Sequence, residues 1–306
     1  MNFILSRRLG HSFCPNYRYK NTKKNHRYRI TMDNYYLNSM GKVYKIQNLK
    51  SLYTRTIKQV IRGALLFTSY EWDEIIFTNR LPKKPIKPVN WSFIKGKSFD
   101  SHVILSNEKL EQLCDTYDVN ISEKDYTNCF QSIENAYKDL PKLPSSYLVV
   151  MQTFDILAFE NYWSYILTHT YSNRGWKIDQ WMKIVPPEFD HDESAKIGLG
   201  FYSKDSYFKN RIMNFRLTGY TKINHKLCAV FDYYCDHSEV MTKEKDSENI
   251  KRTGTSFYHG QIWMDTKEGE ILRGTMEENY IALQEGVKDT PVNIKRRVLC
   301  ELMEDG

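Results

Sequence analysis

The sequence contains few glycines, prolines and cysteines and no long apolar run. Its 306 residues include 14 Gly, 9 Pro and 6 Cys, which excludes collagen-like and disulfide-scaffold proteins. No stretch approaches the roughly 18 consecutive apolar residues that a transmembrane helix requires, so we expect no membrane span. Charged residues make up 26% of the chain and hydrophobic residues 41%. These proportions are typical of a globular protein rather than a disordered one.

Several catalytic motifs are also missing. The sequence contains no GxGxxG, no HExxH and no GxSxG. Gly96-Lys97-Ser98 resembles the end of a phosphate-binding loop, but Trp91 stands where that loop needs its first glycine. These absences disfavour nucleotide hydrolysis, Rossmann oxidoreduction, HExxH proteolysis and α/β-hydrolase chemistry. An enzyme whose site is assembled from distant residues stays open, and no cofactor is indicated.

The net charge of +7 comes from the N-terminal arm. Residues 1–31 hold eight Lys and Arg and no Asp or Glu, so the remaining chain carries 36 basic and 37 acidic groups (44 − 8 against 37). We expect residues 1–40 to be a disordered basic arm in a cytoplasmic protein. Two alternatives are a presequence for mitochondria or another organelle, and a nucleic-acid-binding arm confined to residues 1–31.

The next region, 41–145, is predicted to be mainly helical. Its clearest pattern is an apolar series at three- and four-residue steps, typical of one helix face: Ile46, Leu49, Tyr53, Ile57, Val60 and Ala64. Three prolines make residues 81–88 an extended spacer. Two further helices are predicted over 106–117 and from Ser122 to Tyr137.

The last region, 146–306, combines an apolar segment with an antiparallel β domain. The segment 147–170 fits a buried helix, a strand followed by a helix, or two strands. From residue 171 onwards the pattern is that of strands: Met213, Phe215 and Leu217 alternate with polar residues, the chain turns near Asn224-His225, and a hairpin turns over 266–269. The charged run 243–252 reads as an exposed loop. The predicted fold class is therefore α+β, with a helical N-terminal region and a C-terminal curved sheet, either a half-barrel or a barrel-like meander.

Charged residues interrupt two of the apolar patterns. Near the end of the chain, alternate residues from 292 to 302 share one face that is apolar except for Arg296. Within the apolar 147–170 segment, Asp155 and Glu160 are either buried acids with raised pKa values or residues at the polar edge of a helix.

Metal sites are disfavoured. A zinc set of His225, Cys228, Cys235 and His237 conflicts with strand geometry, because residues seven apart point to opposite faces and lie about 24 Å apart. Asp190, His191 and Asp192 belong to the densest acidic cluster and are weak candidates for a hard cation, since neighbouring acids usually only solvate a loop.

One strand face suggests a binding site. Phe257, His259, Gln261 and Trp263 alternate along the first arm of the 257–276 hairpin, so aromatic rings would flank two polar side chains on one surface. The residues between them are at least as apolar, and the pattern does not tell which face is buried. If the face lines a cavity, His259 becomes a candidate acid or base, with Asp232 or Asp265 as its carboxylate partner.

The same hairpin carries a family resemblance. Gly260-Gln-Ile-Trp-Met-Asp265 and Gly269-Glu-Ile-Leu-Arg-Gly274 resemble the hairpin of the bacterial lipoprotein-carrier half-barrels, in which an aromatic strand ends in Asp, turns over a Gly and returns as an apolar strand. The resemblance covers about 20 residues and implies a curved sheet that wraps an apolar ligand. It supplies no site residue.

These observations lead to three functional hypotheses. The leading one is a non-catalytic protein whose curved sheet binds an apolar small molecule or a protein partner through Phe257, His259, Gln261 and Trp263. The second is an enzyme with a His–carboxylate site on that sheet. The third is nucleic-acid binding through the basic arm.

Overall fold

The fold was analysed in a computed structural model of the chain. It describes residues 12–13, 25–61, 65–81, 84, 87–104, 133, 135–141, 145–159, 167, 175–184, 203, 205–244, 247–286 and 290–303.

Antiparallel strands dominate the described residues. In chain order they are β1 (Ser12–Phe13), β2 (Asn25–Leu37), β3 (Val43–Ile61), β4 (Leu65–Arg80), β5 (Val89–Asn90), β6 (Ser98–Ile104), β7 (Trp176–Lys177), β8 (Trp181–Ile184), β9 (Tyr207–Asn210), β10 (Met213–Ile223), β11 (Lys226–Glu244), β12 (Ser247–Asp265), β13 (Ile271–Glu285) and β14 (Thr290–Leu302). A 3₁₀ turn covers Ser92–Ile94, and the α-helix α1 covers Tyr147–Leu157.

Twelve of these strands form one sheet. Its order is β5-β4-β3-β2-β14-β13-β12-β11-β10-β8, with β6 paired to β4 and β9 paired to β11. Most neighbours are consecutive hairpin partners, as in a meander. The exceptions are the pairs β4–β6, β8–β10 and β9–β11 and the central pair, where β2 lies antiparallel to β14 from Leu37↔Asn293 to Tyr28↔Leu302. This pair joins the N-terminal and C-terminal strands into a single layer.

The sheet curves around α1. The segment from Tyr137 to Phe159, which includes α1, contacts five adjacent strands: β4, β3, β2, β14 and β13. In a flat sheet these five strands would span about 19 Å. A helix is only about 10–12 Å across with its side chains, so the strands must bend toward it. Register shifts that accompany such bending occur between Leu52 and Tyr53 in β3 and between Leu217 and Gly219 in β10. We call the face toward α1 the inward face and the opposite one the outer face.

The predicted α+β arrangement with a helical N-terminal region is wrong. The part of 41–145 that was expected to form its first helix is strand β3, which pairs with β2 and β4. Leu49, Tyr53 and Ile57 recur every four residues, and a four-residue step keeps side chains on one face of a strand as well as of a helix. The inward positions between them are the polar residues Ser51 and Arg55, both 2% exposed, and these hid the alternation.

Two other segments also differ from the prediction. Asn25–Leu37 of the basic arm is β2, at the centre of the sheet. Its even-numbered side chains point to the inward face and are buried. The run 243–252 was predicted as an exposed loop, but its described residues, 243–244 and 247–252, lie at the ends of β11 and β12, with Lys243 paired to Lys251. Residues 106–117 lie outside the described residues, and 133 and 135–137 of the second predicted helix are helical.

The other strand and turn predictions for the C-terminal region are confirmed. Met213, Phe215 and Leu217 are buried on one face of β10, and the turn to β11 contains Asn224 and His225, both with positive φ (48° and 64°). The hairpin of β12 and β13 turns where the sequence predicted it, with Gly269 at φ 70°. Strand β14 presents Arg296, Val298 and Cys300 to the inward face.

Candidate functional site

The inward face is occupied by α1, a helix that is apolar on almost every side. Leu148, Val149, Val150 and Ile156 are at most 1% exposed although they point in different directions around the axis. The sequence left 147–170 open between helix and strands, and the structure assigns its first eleven residues to a buried helix. Such a helix is stable only inside a surrounding apolar wall.

An arginine on β14 fastens α1 to the sheet. The Arg296 Nη1 atom donates to both carboxylate oxygens of Asp155 on α1, each at 2.7 Å. Its Nε atom donates to Glu278 Oε2 on β13 at 2.5 Å, and the Ser256 hydroxyl on β12 donates to the other Glu278 oxygen. Arg296, Asp155 and Glu278 are 8%, 5% and 4% exposed. We call these four residues the Arg296 cluster; they join one helix to three strands.

The charges of the Arg296 cluster do not balance, since two carboxyls share one guanidinium. Burial, with a smaller contribution from Glu278, raises the pKa of Asp155 to about 6, against the opposing effect of Arg296. Burial alone would lower the pKa of Arg296, but the two carboxylates raise it, so its charge is fixed. Of the two alternatives that the sequence left open for Asp155, the structure supports the buried acid with a raised pKa. Glu160 lies outside the described residues.

Neutral hydrogen bonds hold the rest of α1. The Ser51 hydroxyl on β3 donates to the Gln152 side chain, and the Tyr147 hydroxyl lies 2.8 Å from that of Tyr36 on β2. The residues before α1 contribute the Tyr137 hydroxyl, which accepts from Trp72 Nε1 on β4 at 2.8 Å. These side-chain hydrogen bonds add to the apolar packing that holds α1 on the wall.

A second ionic cluster is buried between β2, β3 and the start of β13. Glu270 Oε1 accepts from Arg55 Nη2, lies 3.0 Å from His26 Nδ1 and accepts from the Tyr28 hydroxyl at 3.3 Å. Glu270 is 1% exposed and the three donors are at most 6% exposed. All four side chains are thus buried, and they link β2 and β3 to the residue that precedes β13.

The predicted binding residues lie on the outer face of β12. Phe257 is 40% exposed, and His259, Gln261 and Trp263 follow on the same side. The intervening residues of β12, among them Tyr258, are buried against the inward face. The structure therefore answers which face of β12 is buried, and Phe257, His259, Gln261 and Trp263 stay a predicted site on the outer surface.

Around these residues the outer face carries aromatic rings and arginines. Asp232 accepts from Arg216 Nη2 at 2.6 Å and from Gln261 Nε2 at 2.8 Å. Partial burial opposes ionisation of Asp232, but these hydrogen bonds prevail and lower its pKa. The Arg216 guanidinium lies over the Trp181 ring at 4.7 Å, and the Arg273 guanidinium lies over Trp263 at 5.1 Å.

The two carboxylates predicted as partners of His259 lie at different distances from it. Asp232 is the diagonal neighbour of His259, because it pairs with Gln261 and Tyr234 pairs with His259. Asp265 is six residues from His259 along β12, about 20 Å, and it accepts from the Lys267 amide at 2.7 Å in the hairpin turn. A His259–Asp232 pair stays a prediction, which His259→Ala tests by loss of activity with retained fold.

The metal candidates have different outcomes. Asp190, His191 and Asp192 lie outside the described residues. Cys228 and Cys235 belong to one continuous ladder with β12, from Cys228↔Asp265 to Cys235↔Tyr258, so the strand does not break between them, and burial raises the pKa of Cys228 to about 11. Within the described ranges, no group of three or more His, Cys, Asp and Glu is placed to hold a metal ion.

Sequence reasoning identified part of this site. It noted Arg296 as the one charged residue on an apolar face and Asp155 as an acid in an apolar segment, but it did not pair them. Glu278 was missed altogether, as were the inward polar residues of β3. The available signal was the same in each case: a polar residue that interrupts an alternating or helical apolar pattern.

The fold is thus a large curved antiparallel sheet wrapped around a buried helix, which includes the curved sheet implied by the 260–274 resemblance. No helix in the described part of the chain is long and apolar enough to cross a membrane.

Comparisons with known proteins add little to this description. No family model matches the chain, and no curated protein matches it. Among solved structures, the chain is similar to lipovitellin, from a structure titled "Lipid-protein interactions in lipovitellin", with 10% identity and a TM-score of 0.43 over 93% of this chain and 26% of that one. It is also aligned with P47 from Clostridium botulinum A2, with 9% identity and a TM-score of 0.12 over 92% of this chain and 81% of that one. The chain spans about a quarter of the lipovitellin chain, and with both TM-scores below 0.5 neither similarity carries an argument about function.

Proposed function

We propose that this protein is a non-catalytic binding protein whose inward sheet face holds an apolar ligand, with α1 as its cover. The observation that supports the proposal is the chemistry of that face. Its occupant in the structure is an apolar helix about 16 Å long and 10 Å wide, and the wall offers it side chains from both halves of the sheet.

The wall is unusually aromatic. Its fully buried rings at both ends of the sheet are the following: Tyr53, Tyr70, Trp72 and Phe99 on one side, and Phe215, Phe231 and Tyr233 on the other, where Trp176 of β7 packs against Phe215 and Phe231. Aromatic rings supply large apolar contact area with few degrees of freedom, which suits a surface that must accept an apolar molecule. Binding pockets of this kind combine an apolar lining with a few oriented polar groups.

The Arg296 cluster and Ser51 provide such polar groups. Both hold α1 through side chains of Asp155 and Gln152, and the buried apolar residues of α1 pack on the wall as well. For α1 to leave the wall while the strands stay paired, a ligand must replace both sets of contacts. A ligand with an apolar body and an acidic head would then replace the contacts of α1, with its head on Arg296.

Fluorescence titration with cis-parinaric acid, an apolar chain with a carboxylate, tests this proposal. We expect saturable binding by the full chain, weakened several-fold by Met264→Ala, whose side chain is fully buried on the inward face. The matched control is its neighbour Trp263→Ala on the outer face, which should bind as wild type does.

Two results would overturn the proposal. One is no saturable binding by wild type or by Asp155→Ala, which removes the hydrogen bonds between α1 and Arg296, while circular dichroism shows both folded. The other is loss of binding in Trp263→Ala with retention in Met264→Ala, which would place the ligand on the outer face.

A second candidate function, binding of a protein partner, is supported by the outer face. Trp181 is 42% exposed and lies under Arg216, which is itself held by Asp232; partly exposed Trp and Arg held in place by neighbours are typical of interface hot spots. We expect a partner captured by the wild-type chain to be lost in both Arg216→Ala and Trp263→Ala. Retention by either folded variant, or equal loss in the outer-face control Lys50→Ala, would exclude this face.

A further inference from the structure

The turn between β2 and β3 is a rigid structure. The Asn38 side-chain oxygen accepts from the amides of Met40 at 3.1 Å and Lys42 at 2.9 Å. The Asn38 amide donates to the Lys42 carbonyl and the Gly41 amide donates to the Asn38 carbonyl, both at 2.9 Å. Gly41 adopts φ +73°, which an L side chain rarely does. The turn therefore holds one conformation in the absence of any partner.

This turn presents apolar side chains to solvent. Met40 is 73% exposed, the highest value among the large exposed hydrophobic residues, and Val43 and Tyr44 follow at 47% and 48%. Turns are normally built of small polar residues, and a contiguous set of exposed apolar side chains indicates an interaction site. Ile281, 50% exposed, lies on the same end of the sheet, since it pairs with Asn293 and Asn293 pairs with Leu37.

The charges around the turn are basic. Between residues 37 and 50 the chain contains Lys42, Lys45 and Lys50 and no Asp or Glu. Lys45 is anchored, with its Nζ atom 4.2 Å from the centre of the Tyr36 ring. Arg80 adds a further cation, because it pairs with Ile46 at the beginning of the adjacent strand. Lys42, Lys45 and Arg80 thus lie near the exposed apolar tip.

We propose that the β2–β3 turn docks the protein on an anionic lipid bilayer, with Met40 and Val43 inserted among the headgroups. Lys42 and Lys45 would contact lipid phosphates, and Tyr44 would lie at the headgroup level, where tyrosine is enriched. A bilayer explains the combination better than a protein partner does, because protein interfaces are depleted of lysine around their apolar centre. The inference goes beyond the proposed function and does not depend on it.

Vesicle flotation of the full chain tests the inference. We expect co-flotation with vesicles of phosphatidylcholine and phosphatidylserine, and much less with phosphatidylcholine alone. Met40→Asp should lower the bound fraction about tenfold or more, because it removes the burial of one large apolar side chain. Lys42→Gln should lower it about fivefold and reduce its salt sensitivity.

The control is Ile212→Asp, which places the same charge at another exposed apolar residue, 43% exposed and away from the turn. It should float as wild type does. Met40→Trp adds a direct readout: its emission should shift to the blue and be quenched by brominated lipids in anionic vesicles. The inference fails if wild type does not float with anionic vesicles, if Met40→Asp floats equally well, or if Ile212→Asp is equally impaired. It also fails if Met40→Asp instead abolishes self-association without lipid, which would identify a second copy as the occupant.

Discussion

Replacement of Arg296 by methionine should destabilise the fold more than most single substitutions. The change removes three hydrogen bonds, two to Asp155 and one to Glu278, while the methionine retains most of the apolar stem. It leaves two carboxyl groups, 5% and 4% exposed, without their cation. Removing one partner of a buried ion pair typically costs about 3–5 kcal/mol, because the remaining charge is buried and uncompensated. We expect a loss in this range at neutral pH, smaller in acid, where Asp155, with its raised pKa, takes up a proton.

Urea denaturation followed by circular dichroism measures this loss. Arg211→Met is the matched control: Arg211 also pairs with a glutamate, Glu239, but is 60% exposed, and such surface pairs contribute about 0–1 kcal/mol. The triple variant Asp155→Leu, Glu278→Leu, Arg296→Met should recover most of the loss, since apolar replacement of a whole buried cluster is often neutral or stabilising. If Arg296→Met loses no more than Arg211→Met, the cluster does not hold α1 and the assignment of Arg296 as its fastening is refuted.

Three further predictions concern α1 and its contacts. Because the folded-state pKa of Asp155, about 6, lies above its ordinary 3.8, its contribution to stability is fully present below about pH 4 and is lost as pH rises through 6. Compared with Asp155→Asn, wild type should lose about 3 kcal/mol over that window in urea melts at fixed pH; a flat difference would contradict the raised pKa. Gly274→Ala should cost about 1–3 kcal/mol, because its Cβ would lie 2.4 Å from the Phe159 ring; an unchanged midpoint would mean that the ring is not held there. Tyr137→Phe leaves Trp72 Nε1 without its buried acceptor and should cost about 1–3 kcal/mol with a shift in tryptophan emission; unchanged emission would argue against this hydrogen bond.

The C-terminal half of the fold could be predicted because its signals are local. The turn at Asn224-His225 and the turn ending at Gly269 combine residues that tolerate positive φ with alternating strands on both sides. Each hairpin is defined by a few consecutive residues, so no knowledge of distant neighbours was needed. The buried face of β12 was not readable, since both of its faces carry aromatic and apolar residues.

The N-terminal half could not be predicted because its inward face is partly polar. In β3, Gln47, Ser51 and Arg55 alternate with Leu49 and Tyr53, and the polar residues have partners on α1, before it or on β13. Those partners are about 100 to 215 residues away along the chain. When only the apolar residues of β3 are counted, their four-residue spacing resembles that of a helix face. The polar residues between them are recognised as inward only when their distant partners are known.

The candidate site could be predicted in part for the same reason. Arg296 and Asp155 each stood out as a charge in an apolar context, but a single sequence does not show which charge meets which. Their pairing is set by the position of α1 on the inward face, and this position depends on the whole sheet. The outer residues Phe257 and Trp263 were recognised by alternation alone, and whether they bind a partner is still a prediction.

The pairing of β2 with β14 has a consequence for biosynthesis. Each half of the sheet is a meander that can assemble as it leaves the ribosome, but the ladder between Tyr28 and Leu302 closes only after synthesis has passed β14. Until then β2 and β13 each present an unpaired edge, and unpaired edges invite association with other chains. A nascent chain that stalls before β14 therefore exposes two unpaired strand edges, which later lie in the middle of the sheet. Chaperone protection would matter most at this stage.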